Sequence, residues 1–423
     1  MLAEDSFFPL FMEAVSKISS LNFVFDDGFK DAYLSFWHEF SGRGDTLPGF
    51  AVADGSFSST TFRGGVRAVC VRALANVYEG RSLIESISDV DVRVGHRLKR
   101  ASLYMRALEF KCLKKAVEGF GKVGVAICDG DLYPTMHPVI VRRTSQEVDA
   151  FLEYLNSLYE LYKCALERGV LLVGVVKDSF VNYLRARVLA SHVLKENPEL
   201  GEEVYRMRSV RNIEKKLSQK RGGIRQVEVL LREAQRLSSD EEILDEYASK
   251  PGFTTPLVLA PQPIYLSEET KAGTKTWRGS KIRRRLKSRS PPLRDVADAM
   301  DKLYSLPPVV MSYWRPWHGI GVYRVDVAGW GLGINIKWDE VEGDYFLSKD
   351  GAMQKFEEIA ALLNGLSPEP FTVKPLLDVD DLVRFSAKTY KECYEPILIE
   401  ALRRAGFKAL LTKRDLRELM VRI

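Results

Sequence analysis

Three short apolar runs each break off at a charged group: Pro48 to Asp54, Val123 to Asp129, and Val170 to Val176, the last followed by Lys177-Asp178-Ser179. Each has the length and β-branched content of a buried strand, and each acid stands where the chain is expected to leave a sheet. Acids from distant positions can then converge at one sheet edge. A hard divalent cation such as Mg²⁺ or Mn²⁺ needs this arrangement, because it takes several oxygen ligands that no single loop easily supplies. Asp54 and Asp129 lead the candidates, each followed by a glycine that admits a tight exit turn and the close approach of a phosphate. The competing reading of either is a turn former or helix cap. Asp131 serves equally as a further ligand or as a cap. Lys177 can stabilise negative charge developing on phosphorus, with Asp178 orienting it or holding a second metal; alternatively the two form a surface ion pair.

A third carboxylate is expected from the region His96 to Gly119, where Leu98, Ala101, Met105, Leu108 and Cys112 make one apolar helical stripe. Glu109 borders that stripe, and a helix packed on the sheet can aim it at the strand ends. Its bland reading is a solvated residue paired with Arg106 one turn back. Glu118 is the rival. From residue 48 to 180 the order reads three strands, with Glu79-Gly80-Arg81 as a turn, then helix, strand, helix, strand. This predicts an α/β fold with a mixed sheet flanked by helices. Residues 1–45 read as a helical lead-in, 46–180 as the first part of the core, 181–300 as a helical and basic insertion or arm, and 301–423 as its completion. In the last segment, strands at Pro308 to Trp314 and Ile320 to Val327 are followed by helices.

The net charge of +5 is small, but its distribution is uneven. From Lys271 to Arg294 there is no acid, and Lys281, Arg283, Arg284 and Arg285 lie in that run with Trp277 nearby. Such a block resembles a footprint for phosphates, and its Ser-Pro-Pro end suggests a loop. His318, inside Tyr313-Trp-Arg-Pro-Trp-His318, either touches nucleic acid or fills a pocket. No phosphate-loop signature occurs, which argues against NTP hydrolysis. The five cysteines, at 70, 112, 128, 164 and 393, are scattered as in a reduced cytoplasmic protein, and neither a secretory leader nor a membrane span is expected. Eight Asn and six Gln against 62 basic and 57 acidic residues is a thermophile-like bias.

As an ordered set, Asp54-Gly-Ser, Asp129-Gly-Asp131-Leu132 and Lys177-Asp178-Ser179 resemble the motifs of the NurA nucleases of archaea and some bacteria. Ser239-Asp240-Glu-Glu-Ile-Leu, Pro251-Gly252, Tyr313 to Arg315 and Tyr323-Arg-Val-Asp326 suit that family's middle region. Pro375-Leu-Leu-Asp-Val-Asp380-Asp-Leu-Val-Arg384-Phe resembles its C-terminal element. The resemblance implies an RNase H-like core, Mn²⁺-dependent cleavage of single-stranded DNA with Mg²⁺ as the other candidate, and 5′ to 3′ digestion. It also implies a homodimer acting with the hexameric HerA translocase in DNA end resection. Carried over, Asp54 and Asp129 become metal ligands and Glu109 the third carboxylate. Asp380 stands where many members have His, and Asp131 where a Ser is usual, which leaves the roles of both open. The alternatives are a DNA-binding adaptor without catalysis, or an RNase H-like nuclease acting on RNA or hybrids.

Overall fold

The computed structural model describes residues 3–16, 27–40, 42, 44, 47–96, 98–134, 145–205, 207–219, 227–261, 277, 280–347, 350–369 and 372–407. Among the described residues eleven strands form one sheet: β1 (Trp37–Glu39), β2 (Gly49–Thr61), β3 (Val66–Glu79), β4 (Ser82–His96), β5 (Val123–Asp129), β6 (Leu171–Val176), β7 (Gly252–Thr254), β8 (Leu257–Val258), β9 (Val309–Arg315), β10 (Tyr323–Ala328) and β11 (Tyr345–Phe346). The main path runs β4-β3-β2-β5-β6-β10-β9-β7-β1, with β8 on β9 and β11 on β8.

The first five strands of that path are a β2-β3-β4 antiparallel meander with β5 and then β6 added parallel to β2. Parallel neighbours need crossovers, and the helices Ala101–Gly119 and Ser145–Glu167 supply them. This is the mixed sheet expected from the element order, in the RNase H-like arrangement that the family resemblance implies. Beyond it, β10 and β9 extend the sheet antiparallel from β6. All seven residues of β9 are buried, as an uninterrupted Val-Val-Met-Ser-Tyr-Trp-Arg run in the middle of a covered sheet should be.

Three local expectations are corrected. A short strand, β1, lies in the expected helical lead-in, and β7 and β8 lie inside the expected insertion. These two- and three-residue strands carry no periodicity of their own; they exist through distant pairing, β1 with β7 more than two hundred residues away and β8 with β9 and β11. The basic run, expected as a loop, forms the helix Lys281–Lys287, capped by the Ser280 hydroxyl, with Ile282 and Leu286 buried. Lys271 and Lys275 lie outside the described residues.

One hydrophobic core extends from Phe29 to Val379, so the helices of 183–247 share it with the sheet. A smaller cluster, Phe62, Val66 and Ala68, sits under Leu398, Ile399, Leu402 and Phe407 of the C-terminal helix and its end. No helix among the described residues is long and apolar enough to cross a membrane.

Candidate active site

Asp54 is not where its strand ends. β2 continues to Thr61, paired with β3 throughout, whereas its pairing with β5 stops at Ala53 opposite Cys128. Asp54 is therefore the first residue of β2 whose β5 side is open, and Asp129, the last of β5, stands beside it. Gly55 keeps this stretch thin: a Cβ there would meet the Met105 side chain at 2.8 Å, so the glycine lets the Ala101–Gly119 helix lie close. Gly130, at φ +117°, makes the turn out of β5.

That helix buries a broad face, including Ala107, Leu108, Phe110, Cys112 and Leu113, and within it Glu109 at 0% exposure. Glu109 is indeed paired with Arg106 at 2.7 Å, but it is not solvated. Glu118, the rival, is exposed and bonded to Lys114 at 3.3 Å. Arg106 also donates to the carbonyls of Asp129 and, at 2.8 Å, Asp131, and lies 4.7 Å over the Phe110 ring. It thus clips the chain leaving β5 onto the helix that carries Glu109.

The electrostatics follow from this crowding. Burial, then the neighbouring Asp129 charge, pushes Asp54 up to about 7, against the opposing hydrogen bond from its Gly55 N–H. Burial also raises Glu109 well above the ordinary range; Arg106 pulls the other way, while Asp54 and Asp129 push up again. Lys177 reaches across to Asp129, Nζ to Oδ2 at 2.6 Å. Burial works against its ammonium, yet the Asp129 charge leaves its pKa raised. One oxygen of the cluster, Glu109 Oε2, is buried without a hydrogen-bond partner among the described residues.

A fourth acid approaches from the C-terminal element. The helix Lys374–Val383 packs on β2 and β3, and the Asp380 charge raises Asp54 further. Arg384 pairs with Asp380. Arg72 of β3 donates to the carbonyls of Val383 and Arg384 and lies 4.2 Å over the Phe385 ring, while Phe385 N–H donates to Ser56 Oγ at 3.1 Å. The residues flanking the motif acids therefore pin this helix to the same strands.

The remaining candidates lie further out. Asp131 falls among Arg106, Arg324 and Asp326, with its backbone carbonyl on Arg106. Asp178 is exposed and faces Glu241. His318 is exposed in the β9–β10 turn, bonded to the Ser249 carbonyl at 3.1 Å. Arg283 is held bidentately by Asp301, at 2.7 and 2.9 Å, which ties it to the helix Leu293–Leu303 that feeds β9 at Val309, the end of the sheet opposite the acids. Arg284 and Arg285 are exposed.

Sequence reasoning assigned no role to Asp326, fully buried, which accepts from Leu132 N–H at 3.1 Å and Tyr133 N–H at 3.3 Å and is bridged by Arg324. It fixes the chain that follows Asp129. The signal was available: Arg324 and Asp326 stand two apart on a strand, hence on one face.

Four acids, with a lysine among them, thus gather at one end of an RNase H-like sheet. The NurA domain family model matches residues 48–331, and the chain belongs to the NurA family. The crystal structure of the NurA nuclease from Sulfolobus solfataricus shares the fold, with TM-score 0.55 and 15% identity over 96% of this chain and 98% of that one. Two further NurA crystal structures, one with manganese, are each 13% identical, with TM-scores of 0.41 and 0.42 over 95% and 94% of this chain and 97% and 98% of theirs. No curated protein matches.

Proposed function

We propose that this chain is a divalent-metal-dependent deoxyribonuclease that cuts single-stranded DNA and digests DNA 5′ to 3′. In this reading it is a cytoplasmic homodimer that works with a HerA-type hexameric translocase in end resection for recombination repair. The observation that carries the nuclease reading is the placing of Asp54 and Asp129 side by side where β2 and β5 cease to pair, with the unpartnered Glu109 Oε2 buried beside them. A carboxylate oxygen left without a partner in the interior is costly, even on a group whose other oxygen is paired with Arg106, so its retention there calls for a ligand that comes and goes.

The donors are all hard oxygens, which suits Mn²⁺ or Mg²⁺. Among the described residues no three His, Cys, Asp or Glu side chains are grouped tightly enough to hold an ion as they stand. Lys177 and Arg106 each take one carboxylate oxygen, on Asp129 and Glu109. The acids are thus gathered and partly neutralised by protein cations, and Asp54, Glu109 and Asp129 are the residues that would hold the metal. Bound there, the metal would supply charge for a phosphodiester and acidify a water for attack.

The chain's own groups do the rest. Displaced from Asp129, the Lys177 ammonium is placed to meet a non-bridging phosphate oxygen whose charge grows in the transition state. Arg106 keeps Glu109 aimed and the β5 exit fixed. Asp380, held by Arg384, adds a further carboxylate near Asp54. Exposed Phe8, Leu10, Phe11 and Met12 on the helix Ala3–Ser16 support self-association, for which light scattering should return twice the 47.9 kDa chain mass.

The test is end-labelled single- and double-stranded DNA and RNA, incubated with purified protein and Mn²⁺, Mg²⁺ or EDTA. The reading requires metal-dependent cleavage of DNA that EDTA stops. Cleavage of RNA or hybrids alone would replace the substrate; binding of DNA without cleavage under every metal would leave the adaptor.

A further inference from the structure

The Ser239-Asp240-Glu241-Glu242 run has no part in the acid cluster, yet it is wired to the segment that follows Lys177. It opens the helix Asp240–Tyr247, whose start is closed from within: Glu242 N–H donates to the Ser239 hydroxyl at 3.2 Å, and Ser239 N–H donates to the Glu242 carboxylate at 2.6 Å. The two acids between them serve other backbone. Asp240, fully buried, accepts from Leu184 N–H at 2.7 Å and Arg185 N–H at 3.0 Å, in the first turn of the helix Tyr183–Glu196. Glu241 accepts from Ser179 N–H at 2.7 Å and from Asp178 N–H. Consecutive acids thus grip both ends of the 178–185 link.

The turn they hold is unusual. Asp178, at φ 55°, is the only non-glycine residue in the left-handed region among the described residues. Aspartate tolerates that region better than most residues, but it persists only where surrounding bonds insist on it. Directly before this turn, Lys177 places Nζ 2.6 Å from Asp129 Oδ2.

We propose that Glu241 is a positioning residue of the nuclease: it holds the Asp178–Ser179 turn in its left-handed form, so that Lys177 is aimed at Asp129 and at a phosphate bound beside it. The proposal rests on the nuclease reading above. A carboxylate in this half-buried place is otherwise disfavoured, since burial raises Glu241 to about 7, and the two backbone N–H groups are what oppose that. The motif's contribution is therefore to the orientation of one ammonium, where a displacement of an ångström costs turnover more than binding.

The test uses the full chain with Mn²⁺ and a single-stranded oligonucleotide. Glu241→Ala should lower kcat about tenfold or more while KM stays within about twofold, and should speed hydrogen exchange at the 178 and 179 amides. Glu241→Gln, which keeps an acceptor oxygen, should regain most of both. In a Lys177→Met background the Glu241→Ala change should leave kcat within about twofold, because the clamp then has nothing to aim. Should Glu241→Ala fail to fold, Glu241→Asp withdraws the carboxylate by one methylene, keeps the charge at the helix start, and should show the same fall in kcat and the same non-additivity. Unchanged exchange and kcat in these variants, or effects that multiply in the double variant, would overturn the clamp. A fully active Asp54→Asn enzyme would overturn the acid site itself, a separate outcome, since hydrogen exchange reports the clamp without turnover.

Discussion

At the open end of β2 and β5, like charges face one another and burial penalises those of Asp54 and Glu109; in the paired helices Lys281–Lys287 and Leu293–Leu303, Arg283 and Lys287 of a denser run of charge are neutralised on the spot. Asp301 alone takes Arg283 twice, Lys287 at 2.9 Å and the Trp277 indole N–H at 2.7 Å, and Asp298 takes Lys287 again. Among the described residues the acids have Lys177, Arg106 and, for Asp380, Arg384 for such service, and Glu109 Oε2 has no partner. A charge run in sequence says little until its partners are known. Charge that stays crowded and incompletely paired after folding is held against its own electrostatics, and that asks for a functional reason.

The comparison breaks most decisively at the acids. Asp54→Asn and Asp129→Asn should each lower metal-dependent cleavage by about 100-fold or more, since an amide of the same shape is a poor ligand for a hard cation. The fold should survive. In metal-free buffer the Asp54→Asn protein should unfold at a higher temperature than the parent, because a carboxylate crowded by Asp129 and Asp380 is gone. Near-normal turnover in either variant would reject the site.

Glu109→Gln against Glu118→Gln is the next contrast. The first removes a buried acid beside Asp54 and should cost orders of magnitude in rate, partly restored by excess Mn²⁺; the second alters an exposed residue and should stay within about 0.5 kcal/mol in stability and be kinetically silent. Equal effects would erase the distinction that burial draws between two glutamates on one helix.

Much of the acid end was legible from sequence, and for a local reason. The first part of β2, up to Asp54, and the strands β5 and β6 are near-continuous apolar runs, so their order and the charged groups that break these runs could be read without knowing any distant contact. Glu109 was legible only as a candidate, because its pairing with Arg106 is local while its burial depends on the helix lying across β2 and β3. What stayed hidden was long-range. That β2 outruns β5 at Asp54 is a property of two strands, not one; Asp326 under Leu132 and Tyr133, Glu241 under Ser179, and Arg72 under Val383 each join segments more than fifty residues apart. The basic run misled for the same reason. Its acids, Asp298 and Asp301, lie just past its end and become partners only once the two helices fold back on each other.

Breaking that neutralisation should cost stability before it costs function. Asp301→Ala leaves Arg283, Lys287 and the Trp277 indole without their shared acceptor, and we expect a loss of about 1–3 kcal/mol by urea unfolding. Cleavage of a short oligonucleotide should be unchanged at a temperature where the variant is folded. A rate loss without a stability loss would mean that this acid serves the site, and that the two regions are not as separate as the sheet's opposite ends imply.

The smallest effect is expected at the outward-facing arginines, and it divides a cluster that sequence treats as one. Arg283 is engaged by Asp301, so Arg283→Ala should act on stability and leave the salt dependence of DNA binding alone. Arg284 and Arg285 are exposed on the same short helix. If they meet DNA phosphates, the Arg284→Ala, Arg285→Ala double variant should weaken binding by a few-fold at low salt and reduce the slope of log K against log salt by about 1–2, with maximal turnover preserved. Fluorescence anisotropy of a labelled single strand across a salt series measures both quantities. A slope equal to that of the parent would assign the exposed pair to solvent or to an acidic protein surface, and would make the acid end, with Lys177, the site's own source of phosphate recognition.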